Sequence, residues 1–88
     1  MSLKLYVTGM SEKSMNAIRT VKRIVDEHVK DCCDLEIIDL YKRPEAAQEN
    51  QIIFSPSLVK LSPLPRRVLI GAFSDTDKLK QALGIPLT

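Results

Sequence analysis

The most reactive side chains in this sequence of 88 residues belong to two adjacent cysteines, Cys32 and Cys33. A disulfide between neighbouring cysteines is strained and uncommon. The pair also lacks the spacing of a zinc site, and the single His28 is not enough to complete one. We interpret both as reduced thiols at a helix end in a reducing compartment, and we predict no metal and no cofactor. A thioredoxin-like thiol oxidoreductase using Cys32 or Cys33 is kept as an alternative hypothesis.

Hydroxyl and carboxylate side chains give little indication of catalysis. To act as a nucleophile, Ser11 would need a base, and His28 lies about four helical turns away. Its position before a predicted helix instead favours a capping role for Ser11. Glu45 and Glu49 lie one turn apart on a short polar helix, which is typical of a solvated face. The sequence therefore predicts a protein that is not an enzyme.

The composition is that of one small globular domain, which we predict to span residues 1–88. The apolar content is 44% and the charged content is 27%, both ordinary values. A net charge of +2 with two tyrosines and two phenylalanines gives little support for nucleic-acid binding. No apolar run approaches the roughly 20 residues of a membrane helix. Because Lys4 interrupts the first apolar stretch, we predict no signal peptide, no membrane partner and a cytoplasmic location.

Apolar periodicity and turn signals predict four strands and three helices in the order βαβαββα. The strands are predicted at residues 3–8, 35–40, 57–61 and 66–71, and the helices at residues 12–30, 44–51 and 75–83. Ser11 and Ser74 are suited to cap the first and last helices, and Gly84 and Pro86 to end the last one. The first two strands are expected to be parallel and the last two antiparallel. These features predict an α/β fold with a four-stranded mixed sheet and helices on both faces.

Three prolines lie around the third predicted strand. Pro56 cannot donate a hydrogen bond to a sheet ladder, so it marks a strand start or a turn with a cis peptide bond. Pro63 and Pro65 lie in the turn that leads to the fourth strand, and they are further candidates for cis peptide bonds. A cis-proline before the third strand, with this order of elements, resembles thioredoxin-like domains. Where that fold carries its redox cysteines, however, this sequence reads Gly9-Met10-Ser11-Glu12-Lys13-Ser14.

Several short motifs in a fixed order resemble the KaiB family of clock proteins and the related sensor domain of the histidine kinase SasA. They are Leu3-Lys4-Leu5-Tyr6-Val7-Thr8-Gly9, Leu35-Glu36-Ile37-Ile38-Asp39-Leu40 with Lys42-Arg43-Pro44, Ile53-Phe54-Ser55-Pro56-Ser57-Leu58, and Pro63-Leu64-Pro65. Each motif is weak alone, but their order and spacing cover nearly the whole chain. The resemblance implies a thioredoxin-like form that, in this family, switches to a rearranged resting form assembled as a tetramer.

The resemblance implies a non-catalytic adaptor that binds a KaiC-type ATPase hexamer and modulates its phosphorylation or output. By this resemblance, Lys60 and Arg67 occupy positions that contact the partner in the family. At two further contact positions, Arg19 is a conservative replacement of a basic residue and Gln51 replaces a lysine. A homo-oligomer, either a dimer or a tetramer, is a further implied assembly. The alternative within the same group of proteins is a SasA-like sensor domain of a histidine kinase.

Two departures from the family pattern bear on fold switching. Ala72 stands where the family usually has an aspartate, and Ala82 stands in the last helix where switching members often carry a glycine. Alanine favours a helix over glycine by about 1 kcal/mol. We therefore expect this sequence to favour the thioredoxin-like form over the tetrameric resting form.

Overall fold

Four strands and three helices follow one another in the predicted order βαβαββα. The computed structural model describes residues 1–9, 11–29, 33–49, 51–52, 54–70 and 76–85. The strands are β1 (Ser2–Val7), β2 (Asp34–Asp39), β3 (Ser57–Ser62) and β4 (Arg67–Ile70), and the helices are α1 (Glu12–His28), α2 (Ala46–Glu49) and α3 (Thr76–Leu83). The predicted element types and their order are confirmed.

The strands form one mixed sheet in the order β2-β1-β3-β4. β1 is parallel to β2, with Leu5 opposite Ile37, and antiparallel to β3, with Leu5 opposite Leu58. β4 is antiparallel to β3 and places Leu69 opposite Leu58. The predicted parallel and antiparallel pairings are confirmed, and β2 and β4 are the two edges of the sheet.

Helices cover the two faces of the sheet unequally. α1 and α3 pack on one face, called here the two-helix face, where strand residues such as Leu5 and Leu58 are buried. The opposite face, called the α2 face, has a smaller cluster around Tyr6 and Val59, to which the four-residue α2 contributes Ala46. The prediction of helices on both faces is confirmed. Because α2 is so short, part of the α2 face near β4 stays exposed.

The first two helices end differently from the prediction. α1 ends at His28 rather than at residue 30. α2 is shorter than the predicted 44–51 because Pro44 and Glu45 form a turn and Gln51 has a positive φ of 56°. A residue in that left-handed conformation cannot continue a right-handed helix. In the described ranges, no helix is both long enough and apolar enough to cross a membrane.

The last helix agrees with the prediction at its C-terminal end. α3 ends at Leu83, and Gly84, with a φ of 74°, follows it and donates its N–H to the Gln81 carbonyl at 3.1 Å. This is the left-handed glycine that commonly ends a helix. The predicted cap Ser74 lies outside the described residues, as do Ala72 and Pro86.

Candidate protein-binding surface

Hydroxyl groups fill the turn between β1 and α1, where redox proteins of this fold carry their thiols. Ser11 is the N-cap of α1, and its Oγ accepts a hydrogen bond from the Ser14 N–H at 3.2 Å. Ser14 Oγ accepts from the Thr8 N–H at 3.1 Å and from the Ser11 hydroxyl at 2.9 Å, and it donates to the Thr8 carbonyl at 3.4 Å. Ser55 Oγ donates to Thr8 Oγ1 at 3.4 Å, which connects the turn to the segment before β3.

These hydrogen bonds give both serines of the turn a structural role. Ser14 is fully buried, and its hydroxyl pairs backbone groups that the turn would otherwise leave without partners. The predicted capping role of Ser11 is confirmed, while Met10 lies outside the described residues. Among the residues that the structure describes, neither hydroxyl is hydrogen-bonded to a histidine or a carboxylate that could act as a base.

A carboxylate at the end of β2 holds the same turn. Asp39 Oδ1 accepts hydrogen bonds from the N–H groups of Tyr41 at 2.9 Å and of Gly9 at 3.0 Å. These bonds, the one from Tyr41 first, hold the pKa of Asp39 below its ordinary value. Gly9 has a φ of 66°, and a Cβ added there would lie 2.7 Å from Cδ2 of the Tyr41 ring. Glycine is therefore required here both for the backbone conformation and for the ring that lies against it.

All three prolines around β3 follow cis peptide bonds, at Ser55–Pro56, Ser62–Pro63 and Leu64–Pro65. Pro56 is buried just before β3, next to Ser57, whose hydroxyl donates to the Phe54 carbonyl. Pro63 and Pro65 are exposed in the turn between β3 and β4. The prolines thus lie at both ends of the strand that carries Lys60.

The sheet brings Lys60 and Arg67 together. They are opposite each other in the antiparallel β3–β4 pair, on the two-helix face, where directly opposed residues have Cβ atoms about 5 Å apart. Lys60 is only 7% exposed, so its aliphatic stem is buried, whereas Arg67 is exposed. Within the described part of the chain, no carboxylate lies within ion-pair distance of either cation. Two opposed like charges disfavour each other, and an acidic partner would relieve this repulsion.

The other two predicted contact residues lie apart from this pair and from each other. Arg19 is exposed on α1, where its Nη2 donates to Asn16 Oδ1 at 3.2 Å. Gln51 is exposed just after α2 and lines a groove on the α2 face. The structure therefore groups Lys60 with Arg67, but it places Arg19 and Gln51 on opposite faces of the sheet.

The α2 face carries an exposed apolar patch that sequence reasoning missed. Its members Phe54, Val68 and Ile70 are 59%, 41% and 53% exposed. With their neighbours they line a groove of about 190 Å³, completed by Gln51, Ile52, Ser57 and Arg66. In the sequence, the only indication of this patch is the alternation of Val68 and Ile70 with Arg67 and Leu69. That alternation becomes informative only once β4 is known to be an edge strand.

A network of ion pairs lies at the opposite end of the α2 face, beside β2. Arg43, in the loop after β2, lies between 3.7 and 3.8 Å from carboxylate oxygens of Glu36, Glu45 and Glu49. Lys4 of β1 lies 3.8 Å from Glu36 and 3.5 Å from Glu49. The network connects β1, β2 and α2. Its three carboxylates outnumber its two cations, so the network itself carries a net negative charge.

The surroundings of Cys33 do not favour thiol chemistry. Its pKa is raised chiefly by burial, with an opposing effect of the N-terminal ammonium and a further increase from the Asp34 carboxylate. A raised pKa reduces the fraction of reactive thiolate. Cys32 lies outside the described residues. Across the described ranges, no group of three or more His, Cys, Asp or Glu residues is placed to hold a metal ion.

The fold defines a thioredoxin-like α/β domain. The N-terminal domain of Synechococcus elongatus SasA superposes with a TM-score of 0.73 at 26% identity, covering 99% of this chain and 86% of that domain. The thioredoxin Deadhead of Drosophila melanogaster gives a TM-score of 0.76 at 19% identity, covering 94% of this chain and 77% of its own. The second likeness shows the fold alone.

Sequence comparison then identifies the family. The family model described as the KaiB domain matches residues 4–85. The circadian clock oscillator protein KaiB of Prochlorococcus marinus subsp. pastoris is 42% identical over 77 residues, which cover 88% of this chain and 72% of that relative. This chain belongs to the KaiB family, so the predicted resemblance is confirmed.

Proposed function

We propose that this KaiB-family protein is a clock-related adaptor, acting as one domain and without catalysis, that docks on a KaiC-type ATPase hexamer. Docking would modulate the phosphorylation or output of that partner. Family membership and the likeness to the SasA domain support a clock-related role. The observation that carries the docking proposal is the Lys60–Arg67 pair, two adjacent cations without a counter-ion among the described residues.

This pair suits a partner surface that presents carboxylates. Because the stem of Lys60 is already buried, little side-chain freedom is lost when its ammonium binds a partner. The exposed guanidinium of Arg67 can bind a carboxylate through two parallel hydrogen bonds. Arg19, on α1 over the same face of the sheet, adds positive charge that would speed association with an acidic surface. Gln51 lies on the other face, so we expect a smaller contribution from it.

We propose that the protein is not a catalyst, because the groups that could react either have structural roles or are held in a less reactive form. The Ser11 and Ser14 hydroxyls serve the turn before α1, and burial raises the pKa of Cys33. An insulin-reduction assay tests this directly, and we expect no turnover above background. Turnover that Cys32→Ser or Cys33→Ser abolishes would overturn this part of the proposal.

The docking proposal is tested by size-exclusion chromatography with light scattering, using the KaiC-type hexamer from the same source with ATP present. We expect co-elution after an incubation of hours. The variant Lys60→Glu with Arg67→Glu should weaken binding by about tenfold or more, as expected for a charge-paired contact. The matched control, Lys13→Glu with Lys42→Glu, changes the net charge equally at other exposed sites and should bind as the parent does. Unchanged affinity of the first variant, with a native circular dichroism spectrum, would remove the proposed surface.

A second candidate is a sensor domain fused to a histidine kinase, which the likeness to the SasA domain favours. The identity to SasA is 26%, against 42% to the KaiB relative, which supports the free adaptor. Intact mass spectrometry of the protein purified from its source cells separates the two candidates. A mass near 9.9 kDa supports the adaptor, whereas a kinase-sized protein supports the sensor domain.

The resting state is a further part of the proposal. We expect the free protein to populate the thioredoxin-like form, in keeping with Ala82 in α3, at a position where switching members of the family often carry a glycine. Light scattering of the free protein, recorded in the chromatography run that tests docking, gives its mass. A monomer fits the thioredoxin-like form, a dimer would indicate self-association, and a tetramer would favour the rearranged resting form.

A further inference from the structure

β4 is an open edge of the sheet. It lies beside β3 alone in the strand order, so every second residue of β4 directs its N–H and C=O away from β3. Among the described segments, none other than β3 makes a backbone hydrogen bond to residues 67–70. Three of the four side chains of this strand, those of Arg67, Val68 and Ile70, are exposed. As far as the described segments show, the edge therefore has both unpaired main-chain groups and accessible side chains.

The two sides of this edge differ in chemistry. On the α2 face, Val68 and Ile70 continue into the apolar patch with Phe54. On the two-helix face, Arg67 lies opposite Lys60 and faces a second, shallower depression of about 480 Å³ between β4 and α3. That depression is lined by Arg67, Val68, Leu69, Lys78, Gln81 and Ala82. The α2 side of the edge is thus mainly apolar, with Arg66 beside the patch, and the other side carries the cation Arg67 of β4 and Lys78 of α3.

The other edge of the same sheet does not offer this arrangement. β2 carries Asp34, Glu36 and Asp39 among its six residues, and charged side chains are a common means of preventing an edge strand from pairing with another chain. β4 has a charge only at Arg67 among its four residues. An edge with exposed β-branched residues is typical of a surface that pairs with a partner strand.

We propose that β4 binds an extended segment of a partner protein as an added strand, and that this segment alternates apolar with acidic residues. Successive side chains of a strand point to opposite faces. The apolar residues of the segment would therefore pack on Val68, Ile70 and Phe54, while its carboxylates would face Arg67. Main-chain hydrogen bonds supply affinity and the two dissimilar sides supply specificity. β4 would bind such a segment whether or not the KaiC-type partner docks, because the ligand is defined by its chemistry.

The test uses the full chain and a short, end-capped fluorescent peptide in which glutamate alternates with valine. We expect saturable binding by fluorescence anisotropy, with slowed amide exchange centred on residues 67–70. A peptide of the same sequence, N-methylated at the amides that would face β4, loses the main-chain donors and keeps every side chain. It should bind about 10- to 30-fold more weakly, as expected for two lost hydrogen bonds. A peptide with the same residues in two separate blocks should also bind weakly.

Variants of the protein test the two sides separately. Val68→Lys places a charge on the apolar side of the edge and should abolish peptide binding. Its fold should be retained because this side chain is 41% exposed. Arg67→Glu should weaken binding of the glutamate peptide and strengthen binding of a peptide with lysine in place of glutamate. Asp34→Lys, on the β2 edge, is the matched control and should leave peptide affinity unchanged.

Three results would overturn the proposal. The first is equal affinity for the N-methylated and parent peptides, and the second is amide protection on β2 instead of β4. The third is dimerisation of the free protein that Val68→Lys abolishes, which would assign the edge to a second copy of this chain. Binding to the KaiC-type hexamer is measured in a separate run, so failure of the peptide leaves the proposed function to be judged on its own.

Discussion

The two edge strands of the sheet meet solvent in opposite ways. Along β2, carboxylates are interspersed among apolar residues, and Glu36 joins an ion-pair network with Lys4 and Arg43. Along β4, Val68 and Ile70 are about half exposed and Arg67 carries the single charge. Charge on an edge strand discourages pairing with other chains. One sheet therefore has an edge protected by charge and an edge that is open to a partner.

The comparison indicates a division of roles within the domain. From β1 to α2, polar groups form hydrogen bonds and ion pairs within the domain. Asp39, for example, accepts hydrogen bonds from the N–H groups of Gly9 and Tyr41. On β3 and β4, the cations Lys60 and Arg67 face each other without a counter-ion among the described residues. Substitutions in the first region should therefore change stability, and those on the β4 edge should change binding.

The largest effect on stability is expected for Gly9→Ala. The left-handed φ of Gly9 disfavours alanine, and the added Cβ meets the Tyr41 ring at 2.7 Å. We expect the free energy of unfolding in urea to fall by about 2 kcal/mol. Gly84→Ala is the matched control, since its φ is 74° but no atom lies within 4 Å of the added Cβ. An equal loss of unfolding free energy in the two variants would mean that contact with the Tyr41 ring does not destabilise Gly9→Ala.

On the β4 side, a smaller change in stability is expected from the helix beside the edge. Ala82→Gly in α3 should lower the free energy of unfolding by about 1 kcal/mol, because glycine loses more backbone freedom in a helix. Because we propose that Ala82 favours the thioredoxin-like form, the same variant should also increase the tetramer fraction seen by light scattering. A stable, monomeric Ala82→Gly protein would contradict the link between this position and switching.

A still smaller effect is expected from the ion-pair network at the protected edge. Arg43→Met removes three ion pairs with Glu36, Glu45 and Glu49 while keeping an apolar stem. All four side chains are substantially exposed, so the loss should be below about 1 kcal/mol and should shrink in high salt. Urea unfolding at low and high ionic strength measures it. A loss that does not depend on salt would show that the stem of Arg43, rather than its charge, stabilises this edge.

The smallest change at neutral pH is expected for Asp39→Asn, which is best seen as a pH dependence. The pKa of Asp39 is lowered in the folded protein by hydrogen bonds from Tyr41 and Gly9. Its contribution to stability is therefore present above the ordinary carboxyl pKa of about 4 and is lost as the pH falls through the lowered value. Because asparagine does not titrate, the difference between parent and variant should shrink below about pH 4. A constant difference across that range would contradict the assignment.

Local sequence signals were sufficient for the order of the elements. Val21 and Ile24 fall at helical spacing on the buried face of α1, and Ser11 and Gly84 carry the chemistry of a helix start and a helix end. α2 was overpredicted because Pro44 and Glu45 suit a first helical turn by type. In the folded chain they form a turn that precedes the helix.

The surface was harder to predict because it depends on which strands are neighbours. Nothing in residues 66–71 indicates that β4 is an edge, so the exposure of Val68 and Ile70 follows only from the strand order. A lysine in a strand is expected to face solvent, yet Lys60 is 7% exposed. The separation of Arg19 from Gln51 likewise follows from the placement of α1 and α2 on opposite faces of the sheet.

The central position of β1 has a consequence for how the protein is made. β1 is synthesised before the other three strands of this sheet, but in the finished sheet it lies between β2 and β3. Until synthesis has passed Ser62, one side of β1 has no neighbour, and Leu5 and Tyr6, fully buried in the finished protein, can pair only with β2. Such nascent apolar surface is where chaperones act and aggregation begins. Most of this short chain must therefore be synthesised before its first strand is protected.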